Sequence, residues 1–173
     1  MKTNLVLIGM TGSGKSCIGQ LLSTKLSTAF IDTDQYIEQM TNQTIPELFE
    51  ISEQYFRNVE TEVCKKLASE VTYTVLSCGG GVILKQENIQ ELRQTGWIVF
   101  IDRPIDHIFQ DIQTKNRPLL KDGKDKLYQL YKNRIDLYRE AADFIVENHS
   151  TMDDVIQEIE KYFIETIQKG ELK

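Results

Sequence analysis

Eight residues near the start of the chain, Gly9-Met10-Thr11-Gly12-Ser13-Gly14-Lys15-Ser16, satisfy the phosphate-binding pattern G-x-x-x-x-G-K-[ST] at every fixed position. Glycines at these places allow a tight turn in which successive N–H groups face one concavity, and a phosphate oxygen fills it at the positive end of the following helix. Gly12, Ser13, Gly14, Lys15, Ser16 and Cys17 are therefore the candidate nucleotide contacts. Lys15 would reach the β- and γ-phosphates, and Ser16 would offer its hydroxyl to a Mg²⁺ ion bridging them. The alternative for the stretch is a glycine-rich turn with a chance GKS. For Cys17 it is packing behind the loop as a small residue, against a thiol whose pKa the first helical turn would lower.

Two carboxylates follow in Asp32-Thr33-Asp34. One residue apart on an extended chain, they share a face, and they lie just past an apolar run, level with the phosphate loop. One could serve a metal and the other a substrate hydroxyl. Asp34 as a helix cap ahead of Tyr36, Ile37 and Met40 is the structural alternative. Further on, Ser77-Cys78-Gly79-Gly80-Gly81 ends the third apolar run. Six of the chain's ten glycines fall in this loop and the first, which suggests backbone approaching a ligand rather than only a flexible turn. Where many phosphate-loop enzymes place an Asp for the metal at the end of a neighbouring strand, this one offers only Ser77.

Three arginines are candidate anion contacts. Arg57 flanks the apolar stripe Phe56, Val59, Val63 and Leu67 of a helix expected over Ser52 to Val71, and its spacing from Glu60 also suits an ordinary surface ion pair. Arg117 sits in Thr114 to Lys126, whose four Lys, one Arg, one Pro and one Gly suit a mobile lid closing over phosphates, with a solvated charged loop as the alternative. Arg134 interrupts the stripe Leu127, Leu130, Tyr131, Tyr138 and Ala141 where an apolar residue is expected. A guanidinium there needs an anion, either in a buried ion pair or as a ligand carboxylate held bidentately.

Short apolar runs alternating with helical patterns must position these groups. Strands are expected at Leu5 to Ile8, Ala29 to Ile31, Thr74 to Cys78, Trp97 to Ile101 and Phe144 to Val146. Helices are expected from about Pro104, over about Asp125 to Ala142, and over about Met152 to Gln168 with a frayed tail from Gly170. The alternation predicts an α/β fold with a mostly parallel sheet, covered on both faces and binding ligands at the strands' carboxyl ends.

Bulk composition limits the functions available. The 173 residues suit one domain burying roughly two-thirds of its unfolded surface. A net charge of -6 argues against general nucleic-acid or anionic-membrane binding, so anionic ligands must meet local clusters of Lys and Arg. Cys17, Cys64 and Cys78 are widely spaced and read as free thiols of a reducing compartment; His107 and His149 lack ligand spacing, so zinc is not expected. No apolar segment has signal-peptide or transmembrane length, and a cytoplasmic protein is expected.

Taken in order and spacing, these segments resemble the shikimate kinases, small P-loop kinases of aromatic amino-acid biosynthesis. The similarity covers nearly the whole chain: the GMTGSGKS loop, Asp32-Thr33-Asp34, Phe56-Arg57 with Glu60, Gly79-Gly80-Gly81, Arg117-Pro118-Leu119-Leu120, and Arg134 followed by Leu137-Tyr138-Arg139. The resemblance implies a P-loop NTPase fold of the nucleoside-monophosphate-kinase type: a five-stranded parallel sheet with helices on both faces, in one kinase domain over 1–173. An acceptor-binding segment at about 33–61 and a lid at about 112–125 belong to it. It implies ATP and shikimate as substrates, Mg²⁺ as cofactor, phosphorylation of the shikimate 3-hydroxyl, and a monomer without nucleic-acid or membrane partners. Arg57 and Arg134 would grip the shikimate carboxylate, with Gly79, Gly80 and Gly81 approaching the ring. Asp34 would orient the attacking hydroxyl as base, Ser16 and Asp32 would serve the metal, and Lys15 and Arg117 would stabilise the transferring phosphoryl group.

Three positions depart from the family pattern: Gln110, where many members have an arginine that stacks on adenine, Ser52 in place of a glycine, and Cys17 in place of threonine. Two other classes stay open. A P-loop kinase for another small polyol or nucleotide would not call for both Arg57 and Arg134. A nucleotide switch should show a guanine-reading N-K-x-D, and none is present.

Overall fold

The computed structural model describes residues 2–114, 121–149 and 151–171. Elements run β1 (Asn4–Ile8), α1 (Lys15–Leu26), β2 (Ala29–Asp32), α2 (Thr33–Thr41), α3 (Ile45–Ile51), α4 (Glu53–Glu70), β3 (Thr74–Ser77), a 3₁₀ turn (Val82–Leu84), α5 (Gln86–Thr95), β4 (Gly96–Asp102), α6 (Ile105–Thr114), α7 (Lys121–Ala141), β5 (Phe144–Glu147) and α8 (Met152–Glu171). The sheet has the order β2-β3-β1-β4-β5, and every pairing is parallel.

Why β1 reads as an unbroken apolar run follows from its central place, where both of its faces are covered. Side chains alternate between two cores. Val6 and Ile8, with Leu76, Ile98 and Phe100, meet Phe56, Val59, Val63 and Leu67 of α4, Ile89 and Leu92 of α5, and Tyr138 of α7. On the other face Leu5 and Leu7, with Val75, Val99 and Ile101, meet Ile18 and Leu22 of α1 and Val155, Ile159 and Phe163 of α8. No helix among the described residues is long and apolar enough to cross a membrane.

The order places the site. After β1 the chain moves outward to β2, returns through β3, then crosses to β4 and β5, so the loops leaving β1 and β3 emerge side by side at the sheet's carboxyl edge. Pairing of Leu7 with Ser77, and of Asp32 with Ser77, brings the phosphate loop, the acidic pair and the glycine run to one level.

Local differences from the sequence expectations have simple causes. The cap of α2 is Asp32, not Asp34: its side chain accepts from the Asp34 and Gln35 N–H groups, and Asp34 lies in the first turn. A further short helix, α3, is started by a capping box between Thr44 and Glu47 with Pro46 in the first turn. Ser52 then links α3 to α4 in extended backbone (φ -177), a conformation that needs no glycine, and its Oγ accepts from Tyr55 N at 3.0 Å. Of the expected lid of about 112–125, 112–114 end α6 and 121–125 begin α7, and the rest lies outside the described residues. The last helix extends past Gln168 to Glu171.

Candidate active site

The phosphate loop leaves β1 through left-handed glycines, Gly12 at φ 85 and Gly14 at φ 94. Gly14 is the N-cap of α1 and offers no side-chain acceptor, so the first-turn N–H groups of α1 are left for an anion. Lys15 turns back into the loop, donating from Nζ to the carbonyls of Gly9 and Met10, both at 2.8 Å. Burial lowers its pKa to about 8, because the charged form has lost most of its water. Two side chains far away in sequence brace the loop's carbonyls: Arg103 Nη1 donates to Gly12 O at 3.1 Å, and Asn148 Nδ2 to Ser13 O at 3.1 Å. Neither was singled out from the sequence, where each is one polar residue just past an apolar run.

Beside the loop, Ser16 Oγ donates to Asp32 Oδ2 at 2.6 Å and lies 3.2 Å from Ser77 Oγ. This all-oxygen set suits a hard divalent cation that keeps several waters and shares its remaining positions with phosphate oxygens. Among the described residues no group of three or more His, Cys, Asp or Glu forms a complete protein cage for a metal.

The glycine run forms a floor on which the other groups converge. A Cβ on Gly79 would stand 2.5 Å from Asp34 Oδ1; one on Gly80, 2.9 Å from Thr11 Oγ1 of the phosphate loop; one on Gly81, 2.6 Å from Arg57 Cζ. Three consecutive bare backbones thus touch the acid, the phosphate loop and a guanidinium in turn. Thr33 Oγ1 anchors the run by accepting from Gly79 N at 3.1 Å. The cleft above it holds about 240 Å³ and is lined by Thr11, Lys15, Ser16, Asp32, Asp34, Gly79 and Gly80 among others.

Electrostatics within the cleft are uneven. Burial, and next the neighbouring Asp32 carboxylate, raise the pKa of Asp34, which makes it a better proton acceptor than a surface aspartate. Arg57 is not on a solvated surface: its Nη1 donates to Glu60 at 2.8 Å, and both side chains are largely buried. Arg57 Nε is buried without a hydrogen-bond partner, 3.5 Å from Glu53 Oε1. Arg134 is half-buried; its Nη1 donates to Gly80 O at 3.2 Å and its guanidinium also meets the Tyr138 hydroxyl, while no ion pair with a carboxylate holds it among the described residues. Both arginines therefore border the glycine floor with capacity for an anion.

Of the candidate residues, Gly12 to Ser16, Asp32, Asp34, Arg57, Gly79 to Gly81 and Arg134 lie along this one edge of the sheet. Arg117 lies outside the described residues. Cys17 does not pack behind the loop: it is exposed beside the cleft, with Sγ 3.6 Å from Met152 Sδ. Gln110 is exposed on α6, next to Asp111, which pairs with Arg103 at 2.7 Å.

A parallel sheet of this order, a Lys-bearing phosphate loop, and an acid and two arginines at its rim define a P-loop phosphotransferase for a small acceptor. Family comparison narrows the class: the chain belongs to the shikimate kinase family, whose model, described as shikimate kinase, matches residues 11–167. It is 48% identical over 164 residues to the shikimate kinase of Clostridium botulinum (strain Alaska E43 / Type E3), covering 95% of this chain and 99% of that one. To the shikimate kinase of Clostridium beijerinckii it is 45% identical over 168 residues, covering 97% and 99%. Its fold matches the Acinetobacter baumannii shikimate kinase, solved in complex with shikimate, with a TM-score of 0.83 at 34% identity, covering 100% of this chain and 97% of that one.

Proposed function

We propose that the protein transfers the γ-phosphoryl group of ATP to the 3-hydroxyl of shikimate, as a single cytoplasmic kinase domain acting as a monomer. Support comes from the family, from the shikimate-bound relative, and above all from one observation: Asp34, the phosphate loop and Arg57 each meet a consecutive residue of Gly79-Gly80-Gly81. Phosphoryl transfer asks mainly for positioning and charge stabilisation, and a glycine run that contacts a carboxylate, the phosphate loop and two guanidiniums supports reading these as proton acceptor, phosphate cradle and carboxylate clamp.

In this reading Arg57 and Arg134 hold the acceptor carboxylate from separate helices, which leaves one ring hydroxyl pointed at the nucleotide. Asp34 accepts that hydroxyl's proton as the oxygen attacks phosphorus. Lys15 releases the Gly9 and Met10 carbonyls and turns its ammonium to the β- and γ-phosphates. Arg117, from a lid at about 112–125, adds the second cation to the transferring group. The segment at about 33–61, made of α2, α3 and the first half of α4, carries Asp34 and Arg57. Ser16 and Asp32 would hold Mg²⁺, which when bound would supply charge neutralisation to the phosphates.

Mg²⁺-dependent ADP release from ATP, measured with shikimate, gluconate, AMP or no acceptor, tests the reading. Acceleration by shikimate alone is expected. Acceleration by gluconate or AMP instead would keep the fold and overturn the carboxylate clamp.

A further inference from the structure

The glycine run has no side chains of its own, so its position depends on groups from other elements. Thr33 holds the Gly79 N–H and Asn88 Nδ2 donates to Val82 O at 3.0 Å. Between them the Gly80 carbonyl accepts from two donors of α7 one turn apart, Arg134 Nη1 at 3.2 Å and the Tyr138 hydroxyl. A carbonyl oxygen has two lone pairs, and here both are engaged.

Tyr138 is held rigidly at this bond, with its hydroxyl also beside the Arg134 guanidinium. Its ring is fully buried and stacks on Phe100, with centroids 5.0 Å apart and planes 12° from parallel. Its hydroxyl also lies 3.8 Å from Met10 Sδ, so it stands where the phosphate loop and the glycine run meet. Burial pushes its pKa up to about 12, which keeps it a neutral hydroxyl donor across the working pH range. A buried Tyr needs one polar partner, but any carbonyl of the core would serve that need. The carbonyl it holds is the one that also occupies Arg134.

We propose that Tyr138 is a positioning residue: by holding the Gly80 carbonyl from its rigid, stacked ring, it lets Arg134 turn its guanidinium to the acceptor's carboxylate without stranding that carbonyl. This rests on the reading of Arg134 as a carboxylate ligand. Without the hydroxyl, Gly80 O depends on Arg134 alone, and the incoming carboxylate must compete with the carbonyl for the same N–H groups. A neutral hydrogen bond corresponds to a loss of roughly three- to tenfold in acceptor affinity.

Steady-state kinetics of Tyr138→Phe, which keeps the stacked ring, test the proposal. The KM for shikimate should rise roughly three- to tenfold, with the KM for ATP nearly unchanged and the melting temperature lowered by roughly a few degrees at most. In an Arg134→Ala background the same substitution should add nothing, because its effect passes through the guanidinium. An equal rise in both KM values, or full additivity with Arg134→Ala, overturns the proposal. If Tyr138→Phe does not fold, Phe100→Leu, which loosens the ring and keeps the hydroxyl, should give the same selective rise, and an unchanged shikimate KM there would overturn it. Wild-type protein run alongside separates the two readings: no turnover of shikimate by the wild type would remove the assigned acceptor, whatever Tyr138 does.

Discussion

Replacing Gly79 by alanine adds one methyl group where the glycine floor meets the proposed base. Gly79 is outside the left-handed region, so alanine fits its backbone and the consequence is steric. The new Cβ would stand 2.5 Å from Asp34 Oδ1, whereas ordinary contact begins near 3.4 Å, so the carboxylate must retreat by about 0.9 Å. Asp34 lies in the first turn of α2, which is tied to the Asp32 cap, so the side chain has to turn rather than the helix shift. A displacement of about 1 Å in a group that must meet the attacking hydroxyl costs up to roughly 100-fold in rate, about 2.7 kcal/mol of transition-state stabilisation. A coupled assay of ADP release should show kcat for Gly79→Ala reduced on that scale, with the KM for ATP near normal because the phosphate loop is untouched. Turnover within a few-fold of wild type would refute the placement of Asp34 at the reacting hydroxyl.

Other consequences follow from the same geometry. Asp34→Asn should lose roughly 10²- to 10⁴-fold in turnover while ATP binding, followed by calorimetry, persists. Because its pKa is raised, wild-type turnover should fall on the acid side as Asp34 takes up its proton, and this limb should be missing from any residual rate of Asp34→Asn. Arg134→Ala should raise the KM for shikimate by roughly 10²- to 10³-fold with little change in the KM for ATP; a near-normal value would dismiss the clamp. Lys15, with a pKa of about 8 before ligand arrives, should regain its full charge beside phosphates. ATP binding at about pH 9 should then take up a proton, and at about pH 6.5 almost none, as calorimetry in buffers of different ionisation heat would reveal. The same depression has a sign for stability: unfolded Lys15 binds more protons than folded between about pH 8 and 10.5, so its contribution to stability improves as pH rises through that window.

What the sequence made legible was whatever depends on local backbone and spacing. The phosphate loop needs its glycines at fixed positions, the strands carry apolar runs because both sheet faces are covered, and Arg134 stood out by breaking a helical stripe. The contacts that complete the site were hidden because they join elements far apart in the chain. Arg103 and Asn148 reach the loop's carbonyls from the ends of β4 and β5, and Ser77 faces Ser16 only because β3 lies beside β1. Spacing alone made Arg57 and Glu60 an ordinary surface pair, and only the packing of α4 against the sheet buries them. That Cys17 faces solvent, and that Asp32 rather than Asp34 caps α2, stayed out of reach for a similar reason. Which side of a turn faces solvent, and which of two adjacent carboxylates caps a helix, depend on how the strand before them ends.

The clamp is the claim on which the choice of acceptor rests, and altering the acceptor rather than the protein tests it most directly. Turnover of shikimate by the wild type should be compared with that of its neutral carboxamide, which keeps the ring and every hydroxyl. A loss of roughly 10²- to 10³-fold in kcat/KM for the carboxamide, with kcat reduced less than KM is raised, is expected if Arg57 and Arg134 grip a carboxylate. Equal kcat/KM for the two would contradict the account.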